Sequence, residues 1–316
     1  MSRARDRRCG RSFPIRAAVL VFAGVGLADA LPLAVADDPA TRSTRGVPQI
    51  AVPEIAEVAN SQTLVAGGRP AVPVDVLKWG NQVREEQTGI VRAWIDDGRV
   101  VAVSTLFSSR IEPTKLRHTQ EWTALSATPL ESRRGDQVLW RPEATGPKFT
   151  PIPDAPRPEG TRIARGRQLR DLARRFTGAS ESPYKVGERW ELRLLPRPLY
   201  RYGDGGGAVA KAEEDGPVSS SVLDGAFFSL VSNAGTDPEI LVLIEARRSG
   251  SEWRYEYLAA RFSDHSLTLS CDGKPVWEFR NPNPDPYFRA GLTDSYRLFV
   301  DREFPVEAPA KSRSKE

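Results

Sequence analysis

Short apolar runs with strand-like alternation, separated by tight turns, constrain the fold of this chain more than any other feature. Residues 89–95 alternate, Asp97-Gly98 follows, and residues 100–107 form an apolar β-branched run. Asp-Gly suits the positive φ angles of a two-residue hairpin turn. The pattern continues through 121–125 and 137–140. This part of the chain therefore predicts an antiparallel meander.

The second half of the chain repeats this strand pattern. Residues 188–202 carry Trp, Leu and Tyr at even spacings, and Asp272-Gly273 marks another tight turn. Five further apolar runs are present, at 223–231, 239–246, 253–262, 267–271 and 276–279. Short strands with no long helix among them favour an antiparallel sheet. We therefore predict a mainly β protein of the α+β class, with antiparallel meanders in two halves.

One segment between the halves has helical periodicity instead. Residues 165–177 place four apolar side chains at i, i+3, i+4 and i+7, namely Leu169, Leu172, Ala173 and Phe176. That spacing predicts an amphipathic helix with arginines on its other faces and Gly178 as its C-cap. Residues 142–158 precede it and contain six prolines, which predicts a surface loop.

The N-terminus has the pattern of a secretory leader. Six arginines precede an apolar run at 17–27, and small-x-small sites follow at 28–30 and 34–36. A run of 11 residues is shorter than the roughly 20 needed to span a bilayer. Residues 1–36 are therefore predicted to be a signal peptide, cleaved after Ala30 or Ala36, and the protein to be secreted or periplasmic. A retained anchor is the alternative.

Composition sets the remaining boundaries. No aromatic residue occurs between Ala23 and Lys78, and five prolines interrupt the part of this stretch that follows the leader. Such a segment buries too little apolar area to offset its ordering entropy. We predict a flexible spacer at 37–74, a β-rich globular region at 75–303 with halves at 75–141 and 186–303, and a disordered tail at 304–316.

The charge balance argues against nucleic-acid binding. The chain has 45 Lys and Arg against 41 Asp and Glu, and the leader holds six Arg and two Asp, so 39 of each sign remain after cleavage. A formally neutral chain lacks the basic field by which proteins bind phosphate backbones. We expect no nucleic-acid partner and no stable membrane span.

The two halves share an order of features that suggests a duplicated unit. Residues 89–140 and 225–277 each start with Gly, continue through alternating residues and a Glu-Trp pair, and end with Gly-x-x-Val before Trp. The Glu-Trp pairs are Glu121-Trp122 and Glu252-Trp253. The Trp to Trp spacings differ, at 18 and 24 residues. Chance similarity between two meanders is the alternative.

A set of motifs resembles an uncharacterised secreted protein family that is abundant in planctomycete bacteria. The motifs are Val83-Arg84, the Trp94 strand, and residues 121–130, 167–176, 192–202, 224–226 and 236–247. The resemblance covers 78–277 and implies a bacterial envelope or secreted location. It implies no activity, cofactor or catalytic residue.

The densest cluster of arginine and aromatic residues is the candidate binding surface. It comprises Arg193, Arg197, Tyr200, Arg201 and Tyr202. Arg and Tyr are favoured at interfaces because they combine apolar bulk with polar tips. The cluster predicts a surface for a protein or glycan. The alternative is that Tyr200 and Tyr202 belong to the core.

Few residues are suited to catalysis or metal binding. His118 and Glu121 are three apart, and with Asp96 or Asp97 they define an alternative function as a small hydrolase or metal-dependent enzyme. Residues three apart on a strand face opposite sides, which argues against such a site. Cys271 is the only cysteine after the leader, and the chain has two histidines, so we predict no metal and no cofactor.

Two further motifs are incomplete. Residues 203–208 match G-x-G-x-x-A, but too few residues follow for a βαβ crossover. Residues 281–286 alternate Asn or Asp with Pro, without the Gly and distal Glu of a calcium loop. The sequence thus predicts a secreted or envelope, non-catalytic domain that binds a protein or cell-surface component.

Overall fold

Antiparallel strands dominate the structure, which confirms the predicted mainly β, α+β class. The computed structural model describes residues 51–81, 87–143, 148–185, 187–203, 221–233, 235–281 and 291–306. The predicted leader and the G-x-G-x-x-A motif beyond Gly203 lie outside these ranges. So does the Asn-Pro motif beyond Asn281.

The described residues form two helices and eighteen strands. In chain order they are α1 (Ala51–Asn60), β1 (Gln62–Ala66), β2 (Arg69–Pro70), β3 (Val72–Asn81), β4 (Gln87–Asp96), β5 (Arg99–Glu112), β6 (Lys115–Ala124), β7 (Leu130–Arg134), β8 (Gln137–Trp140), β9 (Thr150–Pro151), α2 (Arg162–Ala173), β10 (Phe176–Glu181), β11 (Arg189–Leu194), β12 (Tyr200–Gly203), β13 (Val222–Ser232), β14 (Pro238–Ser249), β15 (Glu252–Arg261), β16 (Ser266–Cys271), β17 (Lys274–Phe279) and β18 (Tyr296–Pro305).

The strands assemble into three antiparallel sheets. A small sheet has the order β2-β1-β7-β8, and a five-stranded sheet has the order β18-β6-β5-β4-β3. A nine-stranded sheet has the order β17-β16-β10-β11-β13-β14-β15-β9, with β12 also paired to β13. Strand β18 lies far along the chain from β6 but pairs with it over its length. The two predicted halves therefore share a sheet.

The five-stranded and nine-stranded sheets pack face to face over one apolar layer, which we call the central core. Its buried members include residues of β4 and β5 and residues of β13, β14 and β15, namely Val91, Ala93, Val103, Phe107, Phe227, Leu241, Leu243 and Leu258. In β14, successive residues alternate between this core and a second one behind the sheet, where Ile240, Val242 and Ile244 lie. Strand β14 is thus buried on both faces, as its continuous apolar run predicts.

Helices and the small sheet cover the outer faces of these two sheets. Helix α2 packs Leu169, Leu172 and Ala173 on the nine-stranded sheet. Behind the five-stranded sheet, Trp122 lies between Trp94 and Trp140, with ring centroids 5.6 Å apart in both pairs. These rings join the five-stranded sheet to the small sheet. Each meander therefore has one face in the central core, and its outer face is covered by a helix or by the small sheet.

The order of elements and their pairings repeat along the chain. In the first unit a helix precedes β1, which pairs with β2 and β7; in the second unit a helix precedes β10, which pairs with β11 and β16. A three-stranded meander and a hairpin follow in both units, β4–β8 and β13–β17. The units run from 51 to 140 and from 162 to 279, and α2 begins the second unit rather than joining two halves.

A glycine facing an aromatic ring is common to both units. Gly89 of β4 pairs in register with Trp79 of β3, and Gly225 of β13 pairs with Tyr202 of β12. A Cβ atom built on either glycine would lie 2.4–2.6 Å from the ring of its partner. Absence of a side chain lets the ring lie across the neighbouring strand. The Glu-Trp pairs are not equivalent, since Glu121-Trp122 lies late in β6 and Glu252-Trp253 opens β15.

Two predicted boundaries are wrong. Residues 51–74 of the predicted spacer are folded, because Ile55 and Leu64 find buried apolar sites that the local composition did not indicate. Residues 37–50 lie outside the described residues. The predicted tail starts too early, because Phe304 continues β18 and packs edge-on against His118 at 4.7 Å.

The predicted helix at 165–177 is displaced. It begins at Arg162 after the N-cap Thr161, whose hydroxyl accepts a hydrogen bond from the backbone N–H of Ala164, and it ends at Ala173. Phe176 and Gly178 belong to β10, where Gly178 leaves room for the side chains of neighbouring strands. Strand pairing with β16 therefore overrides the helical periodicity at this end.

We predict that Phe176→Ala destabilises the protein by about 3–5 kcal/mol, the usual range for truncating a buried aromatic side chain. Phe176 is 2% exposed and contacts Tyr257, with ring centroids 5.0 Å apart. Arg174→Ala is the control, because Arg174 is exposed and should change stability by only about 0.5 kcal/mol. Denaturant unfolding measures both, and equal effects would contradict this packing.

We also predict that Gly225→Ala and Gly89→Ala each destabilise the protein by about 1–3 kcal/mol, because the added methyl overlaps the facing ring. Gly160→Ala is the control, since nothing lies within 4 Å of its Cβ position. Chemical denaturation should show that both variants are less stable than the control. If Gly225→Ala unfolded at the same denaturant concentration as Gly160→Ala, the ring would not lie across the strand.

Candidate binding cleft

A cleft lies between β8, the last residue of β7 and the exposed face of β18. Its volume is about 280 Å³. The lining is mostly polar and comprises Arg134, Gln137, Val138, Leu139, Arg297, Phe299, Val300 and Asp301. Residues of the small sheet and residues of β18 thus line the cleft together.

A chain of hydrogen bonds fixes the position of Asp301, the acidic residue of the cleft. Asp301 accepts a hydrogen bond from Nε2 of Gln120 at 2.7 Å and pairs with Nη1 of Arg134 at 2.9 Å. Gln120 is fully buried, and its Oε1 accepts from Nε2 of Gln62 at 2.8 Å and Nε1 of Trp122 at 3.1 Å. The Asp301 carboxylate therefore has fixed partners and orients one end of the Arg134 guanidinium.

The two arginines of the cleft have donors without acceptors. Arg297 stacks on Phe299, with its Cζ 4.3 Å from the ring centroid, and donates from Nη1 to the carbonyl of Leu139. Among the described residues, Nε of Arg297 and both Nε and Nη2 of Arg134 find no acceptor, and these atoms are shielded from solvent. Burial also lowers the pKa of Arg297. The cleft thus carries two guanidinium groups whose hydrogen bonding is incomplete.

The predicted binding cluster is divided by the structure. Arg193 and Arg197 are exposed, and Nη2 of Arg193 donates to the carbonyl of Gly235 at 3.3 Å. Tyr200 is half-buried and stacks on Tyr202, with ring centroids 6.1 Å apart. Tyr202 is 2% exposed and belongs to the central core. The five residues therefore do not form one surface, and the core-packing alternative describes Tyr202.

Arg201 has a structural role instead. Nη2 of Arg201 pairs with the fully buried Asp224 at 2.8 Å, and Nε of Arg165 pairs with the same carboxylate at 3.0 Å. Arg201 also donates from Nη2 to the carbonyl of Arg162 at 2.5 Å. Because breaking a buried pair leaves an uncompensated charge, these contacts tie α2 to β12 and β13.

The hydroxyl of Tyr202 is similarly engaged. It donates to Oε1 of the fully buried Glu245 at 2.6 Å, and burial followed by the charge of Glu245 raises the pKa of Tyr202. Arg99 and Arg247 pair with the same carboxylate at 2.8 Å and 2.6 Å. This buried network joins the hairpin of the first meander to the second meander.

The residues of the alternative enzyme site are not brought together. His118 pairs in register with Ser108, whereas Asp96 pairs with Arg99, nine residues away along β5, which is about 30 Å. Asp96 instead forms an ion pair with Arg69 at 2.9 Å. His118 and Glu121 face opposite sides of β6, as strand geometry requires.

Both of these β6 side chains have shifted pKa values. Burial, then the charge of Arg302, lowers the pKa of His118 to about 4. Burial, then the nearby Asp264, Asp237 and Glu239, raises the pKa of Glu121 to about 8, although Tyr296 donates to it at 2.6 Å. Each group is held mainly neutral near pH 7, which reflects burial in the core.

A Ser-His-Glu group that the sequence did not indicate is buried in the second unit. Oγ of Ser180 is 2.6 Å from Oε2 of Glu239 and 2.9 Å from Nδ1 of His265. In a serine nucleophile triad the carboxylate contacts the ring nitrogen that the serine does not. Here Glu239 bonds to the serine directly, Asp264 lies 3.9 Å from Nε2 of His265, beyond hydrogen-bond distance, and Ser180 is fully buried. The group is therefore arranged as a structural hydrogen-bond network.

Within the described ranges, no three His, Cys, Asp or Glu side chains are placed to hold a metal ion. Cys271 is buried, and burial raises the pKa of its thiol. No helix among the described residues is long and apolar enough to cross a membrane.

We predict that the stability of the protein falls as pH rises from about 6.5 to about 8, because Glu121 keeps its proton in the folded state but loses it in the unfolded state, whereas the opposing contribution of His118 is confined to lower pH. Glu121→Gln keeps the acceptor for Tyr296 and removes this slope. Urea unfolding between pH 6.5 and 8 measures it. A Glu121→Gln variant with the parent's slope there would contradict the prediction.

His118→Gln is the matched control for that measurement. The lowered pKa of His118 means that the unfolded state binds more protons between about 4 and 6.5, so His118 makes stability fall on acidification through that window. His118→Gln should change the slope on the acid side only. Above about pH 6.5 the slope therefore reports Glu121 alone, whereas His118 contributes only below that pH.

Comparison of this chain with protein-family models, with curated proteins and with solved structures finds no match.

Proposed function

We propose that this protein is an exported, non-catalytic binding module of the cell envelope, which holds an acidic group of its partner in the cleft between β8 and β18. The observation that carries the proposal is the set of three guanidinium nitrogens on Arg134 and Arg297 that lack acceptors. An unsatisfied buried donor costs about 1–3 kcal/mol. A carboxylate or phosphate supplies acceptors to such groups.

The geometry of Arg134 favours a planar oxyanion. Its Nη1 is engaged by Asp301, which leaves Nε and Nη2 on one edge of the guanidinium. Those two nitrogens form the edge that binds a carboxylate through two parallel hydrogen bonds, and because they are shielded from solvent in the free protein, this contact requires the Arg134 side chain to turn toward the cleft. An acidic side chain of a protein, or a carboxylate of a surface polymer, carries this group.

Two further considerations support binding rather than catalysis. The Ser180, His265 and Glu239 group is sealed in the core, and His118 and Glu121 are on opposite faces of one strand. The leader pattern and the resemblance to a secreted family support export. The partner is expected to be a protein or an envelope component.

We predict that succinate, a dicarboxylate probe, binds the cleft saturably and that neutral succinamide does not. Arg134→Gln should weaken succinate binding by at least about tenfold, the loss expected on removing a bidentate charge-assisted contact. Isothermal titration calorimetry measures the affinity, and arginine side-chain NMR locates it. Arg297→Gln should weaken binding in the same direction.

Arg133→Gln is the matched control. Arg133 is the neighbour of Arg134 on β7, and its guanidinium pairs with Glu131 at 2.5 Å instead of Asp301. It should retain the parent's affinity. Equal losses in the Arg133 and Arg134 variants, or succinate binding no tighter than succinamide, would overturn the proposal.

A further inference from the structure

The solvent-facing side of α2 carries a straight row of side chains, which we call the arginine row. It consists of Ile163, Arg167, Arg170 and Arg174. At 3.6 residues per turn these positions fall within a sector of about 60°, and they extend over about 16 Å of the helix. Arg167 and Arg174 are exposed and Arg170 is half-buried. The opposite side of α2 is buried against the nine-stranded sheet.

The charges of this row are only partly balanced by the protein. Arg174 pairs with the exposed Asp171 at 2.5 Å. The guanidinium groups of Arg167 and Arg170 have no hydrogen bond or ion pair within the described parts of the chain. The row therefore keeps a net positive charge.

Two acidic residues close to the helix in the fold are paired with other arginines. Asp272 pairs with Arg175 at 2.5 Å, and Glu252 pairs with Arg157 at 2.7 Å. These pairs leave the positive charge of the row in place. At physiological ionic strength exposed charges act over about 8 Å, so a planar anionic surface must come close to the row.

An exposed aliphatic side chain lies at the start of the row. Ile163 is 73% exposed, the largest exposure among the large apolar residues that the structure describes. Apolar side chains beside Lys or Arg characterise helices that lie in the headgroup region of a bilayer. The apolar face of α2 is already used by the protein core, so only Ile163 is free to enter that region.

We propose that the arginine row docks on the surface of an anionic phospholipid bilayer. Each guanidinium binds headgroup phosphates, Ile163 inserts at the boundary between headgroups and acyl chains, and the straight row matches a flat surface. Binding by this route is peripheral and weakens with added salt. The proposal is independent of the cleft, which lies on other strands.

The test is vesicle co-sedimentation of the chain from Asp37, the predicted mature form, which retains every described element. Vesicles of phosphatidylcholine are compared with vesicles that also contain phosphatidylglycerol. We expect binding only to the anionic vesicles and its loss at high salt. Combined Arg167→Glu, Arg170→Glu and Arg174→Glu should reduce that binding by at least about tenfold. Ile163→Ser should reduce it less.

The control has the same change of charge at another exposed site, Arg189→Glu, Arg193→Glu and Arg197→Glu. It should bind anionic vesicles within about twofold of the parent if position on α2 matters more than net charge. Thermal melts establish that both variants fold. Equal losses in the two variants, or equal binding to both kinds of vesicle, would overturn the proposal. Binding to soluble polyglutamate but not to anionic vesicles would also overturn it and assign the row to an acidic polypeptide.

Discussion

The apolar contact between the two meanders is the interaction on which the rest of the structure depends. Phe227, Leu241 and Leu243 of the second unit meet Val91, Val103 and Phe107 of the first, all of them nearly excluded from solvent. Each such side chain contributes about 1.5–3 kcal/mol on burial. A lone meander would leave this face in water, so neither unit is complete without the other. The pairing of β18 with β6 then joins the end of the chain to its first unit.

Buried charges give this apolar assembly a defined alignment. Glu245 of β14 binds Arg99 of the first meander, and Asp224 binds arginines of α2 and β12. Because a carboxylate without its partners would be costly in the core, a shift of one sheet against the other is disfavoured. This requirement explains why Arg165 is buried and why Arg201 and Arg247 are partly buried. It also explains why Arg201 and Tyr202 of the dense arginine and tyrosine cluster do not share one surface with Arg193 and Arg197.

The arginines left outside these networks are the groups with capacity for partners. Arg134 and Arg297 meet where the small sheet ends over β18, and the arginine row faces solvent on the second unit's helix. The first unit's helix carries Glu54 and Glu57 instead of arginines. The topology repeats in the two units, whereas the exposed helix faces differ in charge. The two proposed functions therefore use side chains that differ between the units and, in the cleft, the additional strand β18.

The sequence by itself determined the strands, because alternation and Asp-Gly turns are local properties. Asp97 and Asp272 both adopt positive φ at these turns, and β14 is buried on both faces. The sequence also suggested a duplication, although the two Glu-Trp pairs, which were part of the suggested match, lie at different positions in their units.

Only the tertiary structure decided the unit boundaries, the end of α2 and the cleft. Residues 51–74 lack aromatic side chains, yet they fold because Ile55 and Leu64 gain contacts with distant residues. The cleft joins Arg134 to Arg297, which local patterning cannot relate because their proximity requires β18 to pair with β6. Local periodicity reports which face of an element is apolar, whereas the partner of that face depends on contacts between residues far apart in the chain.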